Sequence, residues 1–158
     1  MTLLATETAP LEHSWPLFER GQRLDLGCAF DWRGTAAIDI RFGAEALAQR
    51  GIGAWQCDLL NGDALSWSAG VYDLFGLPRH AAITRPETVS LYAENSRAVM
   101  EHLRAYAIRH RRGFTLDAEL CPATGGTRWM RIVAAPLCVG GQVVALQGFK
   151  SDVTHEYP

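Results

Sequence analysis

The chain has 158 residues, of which 48% are hydrophobic and 20% charged, so it can form one globular domain of ordinary size. Its formal net charge of -2 argues against charge-driven binding to nucleic acid or to an anionic membrane. No apolar run has the length of a membrane span, and the N-terminus lacks the basic residues of a secretion signal. Its four cysteines are widely spaced without a CxxC pair, so we expect reduced thiols in a cytoplasmic protein rather than a disulfide frame or a zinc site.

The N-terminal third predicts an arm followed by a helix. Residues 1–34 are punctuated by proline and glycine, which is typical of an irregular segment. Residues 35–50 carry good helix formers and place Ile38, Phe42 and Leu47 on one apolar stripe. That stripe needs a partner, and the chain's own domain and a second copy of the chain are both compatible with it. We take the second as the expectation, which makes the chain a homodimer through this flanking helix.

Two strands and a short helix are expected next. Residues 54–59 alternate in the manner of a strand, Asn61-Gly62 is a two-residue hairpin signal, and residues 63–67 return as the second strand. Ser68 is the candidate N-cap of a helix that ends at Gly76.

A long helix and three strands complete the pattern. Apolar residues at helical spacing begin after Asn95 or Ser96, each a candidate cap. The three strands cover residues 114–120, 128–139 and 143–150, joined by Gly-Gly turns. In the first of them Asp117 and Glu119 alternate with apolar residues, which predicts one wet and one packed face. The order predicts an α+β fold, with a five-stranded antiparallel sheet, helices on one face and a pocket between them.

Six short motifs within residues 51–154, roughly two thirds of the chain, are informative together. They are GIGAWQCD at 51–58, WS at 67–68, YDLFG at 72–76, FTLDAE at 114–119, GTRW at 126–129 and GFKSDVT at 148–154. In this order and spacing the chain resembles a PAS domain, of the subgroup common in bacterial histidine kinases and cyclic-dinucleotide enzymes. One box departs from that subgroup: at 92–97 the chain reads YAENSR, and Tyr92 stands where the subgroup usually has a histidine.

The resemblance implies that residues 51–155 form a sensory PAS domain that binds a small molecule, a cofactor or a protein partner. Asp152 and Thr154 match the junction through which such domains pass a conformational signal from the last strand. The resemblance also implies a histidine kinase or cyclic-dinucleotide effector, in cis or in trans. A fragment of a larger sensor and a free-standing PAS protein are both compatible with the sequence.

Two further functions stay open as alternatives. One is a PAS-fold scaffold without a ligand, whose sheet binds a kinase or cyclase. The other is a small enzyme with a cone-shaped cavity, for which Asp117 and Glu119 are the only paired carboxylates noted. The chain has no phosphate-binding glycine loop, no His-Glu-x-x-His and no Gly-x-Ser-x-Gly motif, so we expect no enzymatic activity.

Cofactor chemistry is constrained by where cysteine and histidine fall. Flavin-cysteinyl photochemistry of the LOV type needs a cysteine on the helices before the long helix. Here Cys57, Cys121 and Cys138 fall on strands and Cys28 in the arm, which argues against it. Haem needs an axial ligand, and His102 on the long helix is the candidate, with a half-exposed surface residue as the favoured reading. We expect no other metal site.

A ligand between sheet and helices would contact aromatic and apolar side chains. The candidates are Trp55, Trp67, Tyr72, Phe75, Leu91, Leu103, Tyr106, Trp129 and Leu146. Arg131 shares a strand face with Trp129 and would hold a carboxylate or phosphate if that face points inward. Ordinary core packing is the alternative role for each aromatic residue in the set.

Overall fold

A computed structural model describes residues 9–17 and 43–158. The strands are β1 (Glu12–Trp15), β2 (Ile52–Asp58), β3 (Ala64–Trp67), β4 (Gly113–Leu120), β5 (Arg128–Val139) and β6 (Gln142–Asp152). The helices are α1 (Ala44–Gln49), α2 (Ala69–Phe75), α3 (Arg85–Val89) and α4 (Glu94–His110), and a short 3-10 helix, Thr154–Glu156, follows β6. The strands form one antiparallel sheet in the order β1-β4-β5-β6-β2-β3, which confirms the predicted fold class. Within the described residues, no helix has the length and apolarity needed to cross a bilayer.

The described sheet has six strands rather than the predicted five, because part of the arm pairs with β4. Trp15 in β1 lies opposite Gly113, and a Cβ atom at Gly113 would lie 2.3 Å from the Trp15 ring. The Trp15 indole N–H also donates to Thr115 Oγ1 at 3.1 Å. A four-residue strand has almost no periodicity to recognise, and Pro16 at its end reads as a breaker, so the sequence pattern did not reveal it.

The connection between β2 and β3 is longer than the predicted two-residue turn. The last cross-strand pair is Asp58 with Ala64, so residues 59–63 form the loop. Gly62 and Asp63 both adopt left-handed backbone angles, with φ of 62° and 59°. The Asp58 carboxylate accepts a hydrogen bond from the backbone N–H of Leu60 at 3.0 Å, which favours this wider turn over the tight one.

Two serines predicted as helix caps tie helices to strands instead. Ser68 precedes α2, and its hydroxyl accepts from the backbone N–H of Ala54 in β2 at 2.8 Å. Ser96 lies inside α4, and its hydroxyl accepts from the N–H of Glu119 in β4, also at 2.8 Å. The helix boundaries still follow the prediction closely, since α2 ends at Gly76 in the left-handed conformation.

The predicted helix over residues 35–50 is not one continuous helix. Gly43 adopts a left-handed φ of 76°, which an α-helix interior does not allow, and α1 begins only after it. Ile38 and Phe42 lie outside the described residues. Leu47 is partly buried, and α1 packs against α2 and β2 of the same chain. The described part of the flanking helix is therefore in contact with its own domain.

The main hydrophobic core lies between the helices and one face of the sheet. Val71 and Phe75 of α2 are fully buried there, against residues such as Leu120 and Met130 from the strands. A smaller cluster on the opposite face contains Trp15, Ala54, Ala135 and Phe149. The sheet is thus covered on both faces.

Strand β4 is packed on both of its faces, so the prediction that one face is exposed to solvent was wrong. Thr115 and Asp117, on the face predicted to be wet, are only 4% and 2% exposed. Strand β1 runs alongside β4, and the backbone N–H of Asp117 donates to the carbonyl of Leu11 at 2.6 Å. Tyr157, close to the C-terminus, donates its hydroxyl hydrogen to the Asp117 carboxylate. Alternation identified the two faces but could not show that both are packed.

Candidate functional site

A small cavity of about 60 Å³ lies between the sheet and helices α3 and α4. Its apolar wall includes Trp55, Trp67, Phe114 and Leu146 from four different strands. Its polar lining consists of Cys57, Arg85, Thr88, Tyr92, Arg104 and Lys150. No aspartate or glutamate is among the described residues that line it, so its charged groups are all basic.

Lys150, the only lysine in the 158-residue chain, occupies one wall of this cavity. It lies in β6 between Gly53 of β2 and Ile132 of β5, and it is 8% exposed. Its amino nitrogen, Nζ, is 5.0 Å from the ring centroid of Trp55. The corresponding distances to Phe75 and Trp67 are 5.1 and 5.8 Å. Rings at this range stabilise an ammonium group by about 0.5–2 kcal/mol each, which only partly replaces its lost hydration.

Burial without a carboxylate partner changes the acidity of Lys150. Loss of hydration lowers its pKa to about 7, Cys57 acts in the opposite direction, and the positive charge of Arg85 lowers it further. The amine is therefore present in both charged and neutral forms near neutral pH. Burial likewise raises the pKa of the Cys57 thiol and of the Tyr92 phenol, so both keep their protons under the same conditions.

The cavity wall also contains hydrogen-bond donors without acceptors. Trp55 and Trp67 are cross-strand neighbours, 6% and 9% exposed, and the Nε1–H group of each is buried without a partner. Lys150 donates to the Tyr92 hydroxyl oxygen at 3.4 Å, a long hydrogen bond. A buried donor without an acceptor costs about 1–3 kcal/mol. Two residues that line the cavity thus carry buried donors without acceptors.

Two arginines reach the cavity from its outer edge. Arg85 of α3 pairs with Glu101, and Arg104 of α4 pairs with Asp63 at 3.0 Å. The side chains of both carboxylates are about 40% exposed, whereas each arginine side chain is 19% exposed. The less exposed arginines line the cavity, whereas their carboxylate partners do not.

The structure distributes the predicted pocket residues over four environments, the fourth being the opposite face of the sheet, where Trp129 and Arg131 lie. Trp55, Trp67 and Leu146 line the cavity, and the ring of Phe75 faces Lys150. The partly buried core around it contains Tyr72, Leu91 and Leu103. Tyr106 is exposed, beside His110 on α4.

Trp129 and Arg131 lie away from the cavity, because their side chains alternate with the inward-facing Met130 and Ile132 of β5. Trp129 stacks on Tyr157 with ring centroids 4.4 Å apart. Arg131 forms a two-pronged ion pair with Asp117 at 2.8 and 2.9 Å.

These residues form a second polar network around the buried Asp117 carboxylate, which we call the C-terminal clasp: Asp117, Trp129, Arg131, Glu156 and Tyr157. Arg131 contacts Glu156 at 2.8 Å in addition to Asp117. Burial and the Asp117 hydrogen bond raise the pKa of Tyr157, and the hydrogen bond with Asp117 raises that of Arg131. The clasp holds the last residues of the chain against β4 and β5.

The predicted output residues, Asp152 and Thr154, lie between the cavity strand and the clasp. The Asp152 carboxylate accepts from the N–H of Thr154 at 2.9 Å and from its hydroxyl at 2.6 Å. The Thr154 hydroxyl oxygen accepts from the N–H of Trp129 at 3.0 Å. The backbone N–H of Asp152 donates to the carbonyl of Gly51, just before β2. This junction ties the end of β6 to both neighbouring strands.

Among the described histidine and cysteine residues considered for cofactor binding, only Cys57 lines the cavity. His102 is exposed on α4 and does not line the cavity. Cys57 lines the cavity from β2, Cys121 and Cys138 are exposed, and Cys28 lies outside the described residues. In the described ranges no cluster of three or more His, Cys, Asp or Glu is arranged to hold a metal ion.

The sequence patterns singled out neither Lys150 nor the contact that Tyr92 makes with it. A signal was nevertheless present. The chain uses arginine for 14 of its 15 Lys and Arg residues, so its single lysine is unusual. Lys150 also lies four residues after Leu146 and two after Gly148, and this even spacing places it on the inward side of the last strand.

No protein-family profile matches the chain, and no curated protein matches it in sequence. Solved structures do resemble it. One is the N-terminal domain of a diguanylate cyclase with a PAS/PAC sensor from Marinobacter aquaeolei, with a TM-score of 0.60 and 17% identity over 66% of this chain and 97% of that one. A sensory box histidine kinase/response regulator from Burkholderia thailandensis has a TM-score of 0.60 and 21% identity, over 73% of this chain and 86% of that one. A PAS domain from Colwellia psychrerythraea has a TM-score of 0.57 and 19% identity, over 73% of this chain and 97% of that one. This chain has the PAS fold.

Proposed function

We propose that the chain is the sensory module of a signalling system, binding a small molecule in the Lys150 cavity and passing a conformational signal through the end of β6. One observation carries the proposal: Lys150, in the cavity, and Asp152, in the C-terminal junction, are two residues apart on the same strand. A change in what contacts Lys150 therefore acts on the strand that holds the junction.

The route from cavity to junction is short. A ligand that draws the amino group of Lys150 away from Tyr92 pulls on β6 between its neighbours β2 and β5. Because Asp152 holds Thr154, and Thr154 accepts the N–H of Trp129, a shift of β6 relative to β5 strains these bonds. Tyr157 of the clasp stacks on the same Trp129, so the hold of the clasp on the final residues changes when these bonds are strained.

The structural neighbours support the proposed partners. A diguanylate cyclase and a histidine kinase are the proteins to which the similar domains belong, so a cyclase or kinase effector is the proposed recipient of the signal. A homodimer through residues 35–50 stays part of the proposal. The described part of this segment, α1, contacts α2 and β2 and leaves Glu45, Ala46 and Gln49 exposed.

A double-mutant cycle tests the connection between the cavity and the junction. Lys150→Met and Thr154→Val are made singly and together, and free energies of unfolding are measured in urea at fixed pH. Because the signal route requires the two sites to communicate, we expect an interaction energy of about 1 kcal/mol, above the roughly 0.3–0.5 kcal/mol seen for independent sites.

The matched control replaces Val89, which lines the same cavity from α3 rather than β6. Val89→Ala combined with Thr154→Val should be additive. If the Lys150 cycle is additive as well, signal transfer through β6 is refuted.

A further inference from the structure

We propose that Lys150 captures carbon dioxide as a carbamate, whose oxygens accept hydrogen bonds from Trp55, Trp67 and Tyr92. The inference rests on the proposed function, since it names the ligand of the same cavity. It arises from an imbalance in the site, where the Lys150 amino group and two unpaired indole N–H groups lie in a wall without a carboxylate, while Arg85 and Arg104 have their carboxylate partners outside the cavity lining.

Carbamylation corrects this imbalance at its centre. As an ammonium group, Lys150 adds one more positive donor to a wall already rich in donors. As a carbamate it presents a negative carboxylate instead. The new oxygens give the Nε1–H groups of Trp55 and Trp67 the acceptors they lack, and Arg85 and Arg104 supply compensating positive charge. The Tyr92 phenol keeps its proton, since burial raises its pKa, and it too can donate.

The surroundings of Lys150 also suit the amine as a nucleophile. Only a neutral amine attacks carbon dioxide, and a desolvated lysine close to another cation is the usual form of an activated amine in proteins. Here three aromatic rings exclude water from Lys150, and Arg85 lies in the same cavity. The pKa of about 7 agrees with this geometry.

Size favours carbon dioxide over larger ligands. A water molecule needs roughly 10–15 Å³ of such space, so a cavity of about 60 Å³ holds only a few non-hydrogen atoms. Pockets for drug-sized ligands start at about 300 Å³. Carbon dioxide has three atoms and no charge, so it can enter a largely apolar cavity without a large desolvation cost.

The reaction balances without an oxidant or reductant. The lone pair on Nζ forms a bond to the carbon of carbon dioxide, and one C=O electron pair moves onto an oxygen. Nζ then releases one proton to solvent water. The product is an N-carboxylate on Lys150 with one negative charge, and loss of carbon dioxide after reprotonation of Nζ restores the amine.

The single lysine makes the product straightforward to assign. The full chain is equilibrated with ¹³C-labelled bicarbonate and carbon dioxide at pH 8, and a protein-bound carbamate resonance is sought by ¹³C NMR. A trialkyloxonium reagent then esterifies the carbamate, and peptide mass spectrometry locates it. We expect the label on the Lys150 peptide, and its absence there in Lys150→Met and Lys150→Arg. The α-amino group, the other amine in the chain, is unchanged in these variants and serves as an internal reference.

The donor requirement is tested with Trp55→Phe/Trp67→Phe, which keeps two rings and removes both N–H groups. We expect carbamate occupancy at fixed carbon dioxide to fall about tenfold or more, as loss of hydrogen bonds to a charged group predicts. Trp129→Phe, which makes the same substitution on the opposite face of the sheet, is the matched control, and its carbamate occupancy should stay close to that of the native chain. No carbamate on Lys150 in the native chain, or an unchanged occupancy in the double variant, overturns the proposal. Absence of the carbamate together with a non-additive Lys150–Thr154 cycle would refute carbon dioxide as the ligand and leave the sensory role standing.

Discussion

The two faces of the sheet bury charged groups in opposite ways. On the outer face the Asp117 carboxylate accepts hydrogen bonds from Arg131 and Tyr157 within the C-terminal clasp, and the backbone N–H of Asp117 donates to the Leu11 carbonyl. On the helix-covered face Lys150 is buried to a similar degree, yet its contacts are three rings and one long hydrogen bond. One network is complete, and the other lacks acceptors.

This difference accords with a structural role for the clasp and with the proposed binding role of the cavity. A buried network whose donors and acceptors are matched stabilises one conformation, and here it holds the final residues on the sheet. A buried group of donors without acceptors costs stability and is retained only where something else is gained. The comparison thus predicts that removing a charge from the clasp weakens the fold, whereas removing the charge from the cavity strengthens it.

The largest effect is expected from Asp117→Ala. The change leaves the Arg131 guanidinium without its two-pronged partner and the Tyr157 hydroxyl without its acceptor. Breaking a buried ion pair on one side costs roughly 3–5 kcal/mol, so we expect the free energy of unfolding in urea to drop by about 4 kcal/mol.

Asp73→Ala is the matched control for that loss. Asp73 makes the same two-pronged contact with Arg79, but both side chains are well exposed, at 43% and 38%. An exposed pair contributes at most about 1 kcal/mol. Equal losses in the two variants would show that burial does not distinguish the clasp, and the comparison would fail.

The next prediction is the pH dependence of folding stability that Lys150 causes. This effect is somewhat smaller than the loss in Asp117→Ala, and it stabilises the fold as the pH rises. Its pKa is about 7 in the folded chain and about 10.4 when unfolded, so between these values unfolding takes up a proton. Folding stability should therefore rise as the pH increases from 7 to 10, by about 3 kcal/mol in buffer free of carbon dioxide. Below pH 7 the full cost of burying the charge is already present, so this group gives no further change.

Lys150→Met provides the reference for the pH dependence. Cys57, Tyr92 and the arginines Arg85 and Arg104 that line the cavity remain in the variant, so subtracting its stability curve isolates the lysine. We expect the variant to be more stable than the native chain at pH 7 and to approach it at pH 10, measured by urea unfolding at each pH. Parallel curves would mean that Lys150 keeps its ordinary pKa.

Much of the fold could be predicted because local signals agreed with the global structure. The Gly-Gly turns at residues 125–126 and 140–141 adopt positive φ angles, and helix α4 lies where the apolar spacing placed it. The aromatic wall of the cavity was found in part for the same reason. Trp55 and Trp67 fall on the inward positions of adjoining strands, which alternation identifies.

The alternation of side chains shows which residues share a strand face. It does not show which face points toward the helices or which residues cover each face. Trp129 and Arg131 were correctly placed together on one face of β5, but that face is outward and the clasp covers it. Asp117 looked solvated for the same reason, because its partners come from Leu11 and Tyr157, at the two ends of the described chain. Contacts between residues so distant in sequence leave no periodic trace.

The smallest expected effect is at the junction between the two regions. Thr154→Val keeps the side-chain shape and removes the hydroxyl that accepts from the N–H of Trp129 and donates to Asp152. The site is exposed, so water replaces part of what is lost, and we expect the free energy of unfolding to fall by only about 1 kcal/mol. Amide hydrogen exchange at Trp129 should accelerate by more than this global change accounts for.

Thr154→Ser keeps the hydroxyl and should retain slow exchange at Trp129, which separates loss of the hydrogen bond from loss of the methyl group. A similar acceleration in both variants would mean that the hydroxyl does not anchor the junction. A junction of this modest strength suits signal output. Bonds of about 1 kcal/mol open often enough for a change at Lys150 to shift their population, whereas the clasp, several times stronger, stays closed.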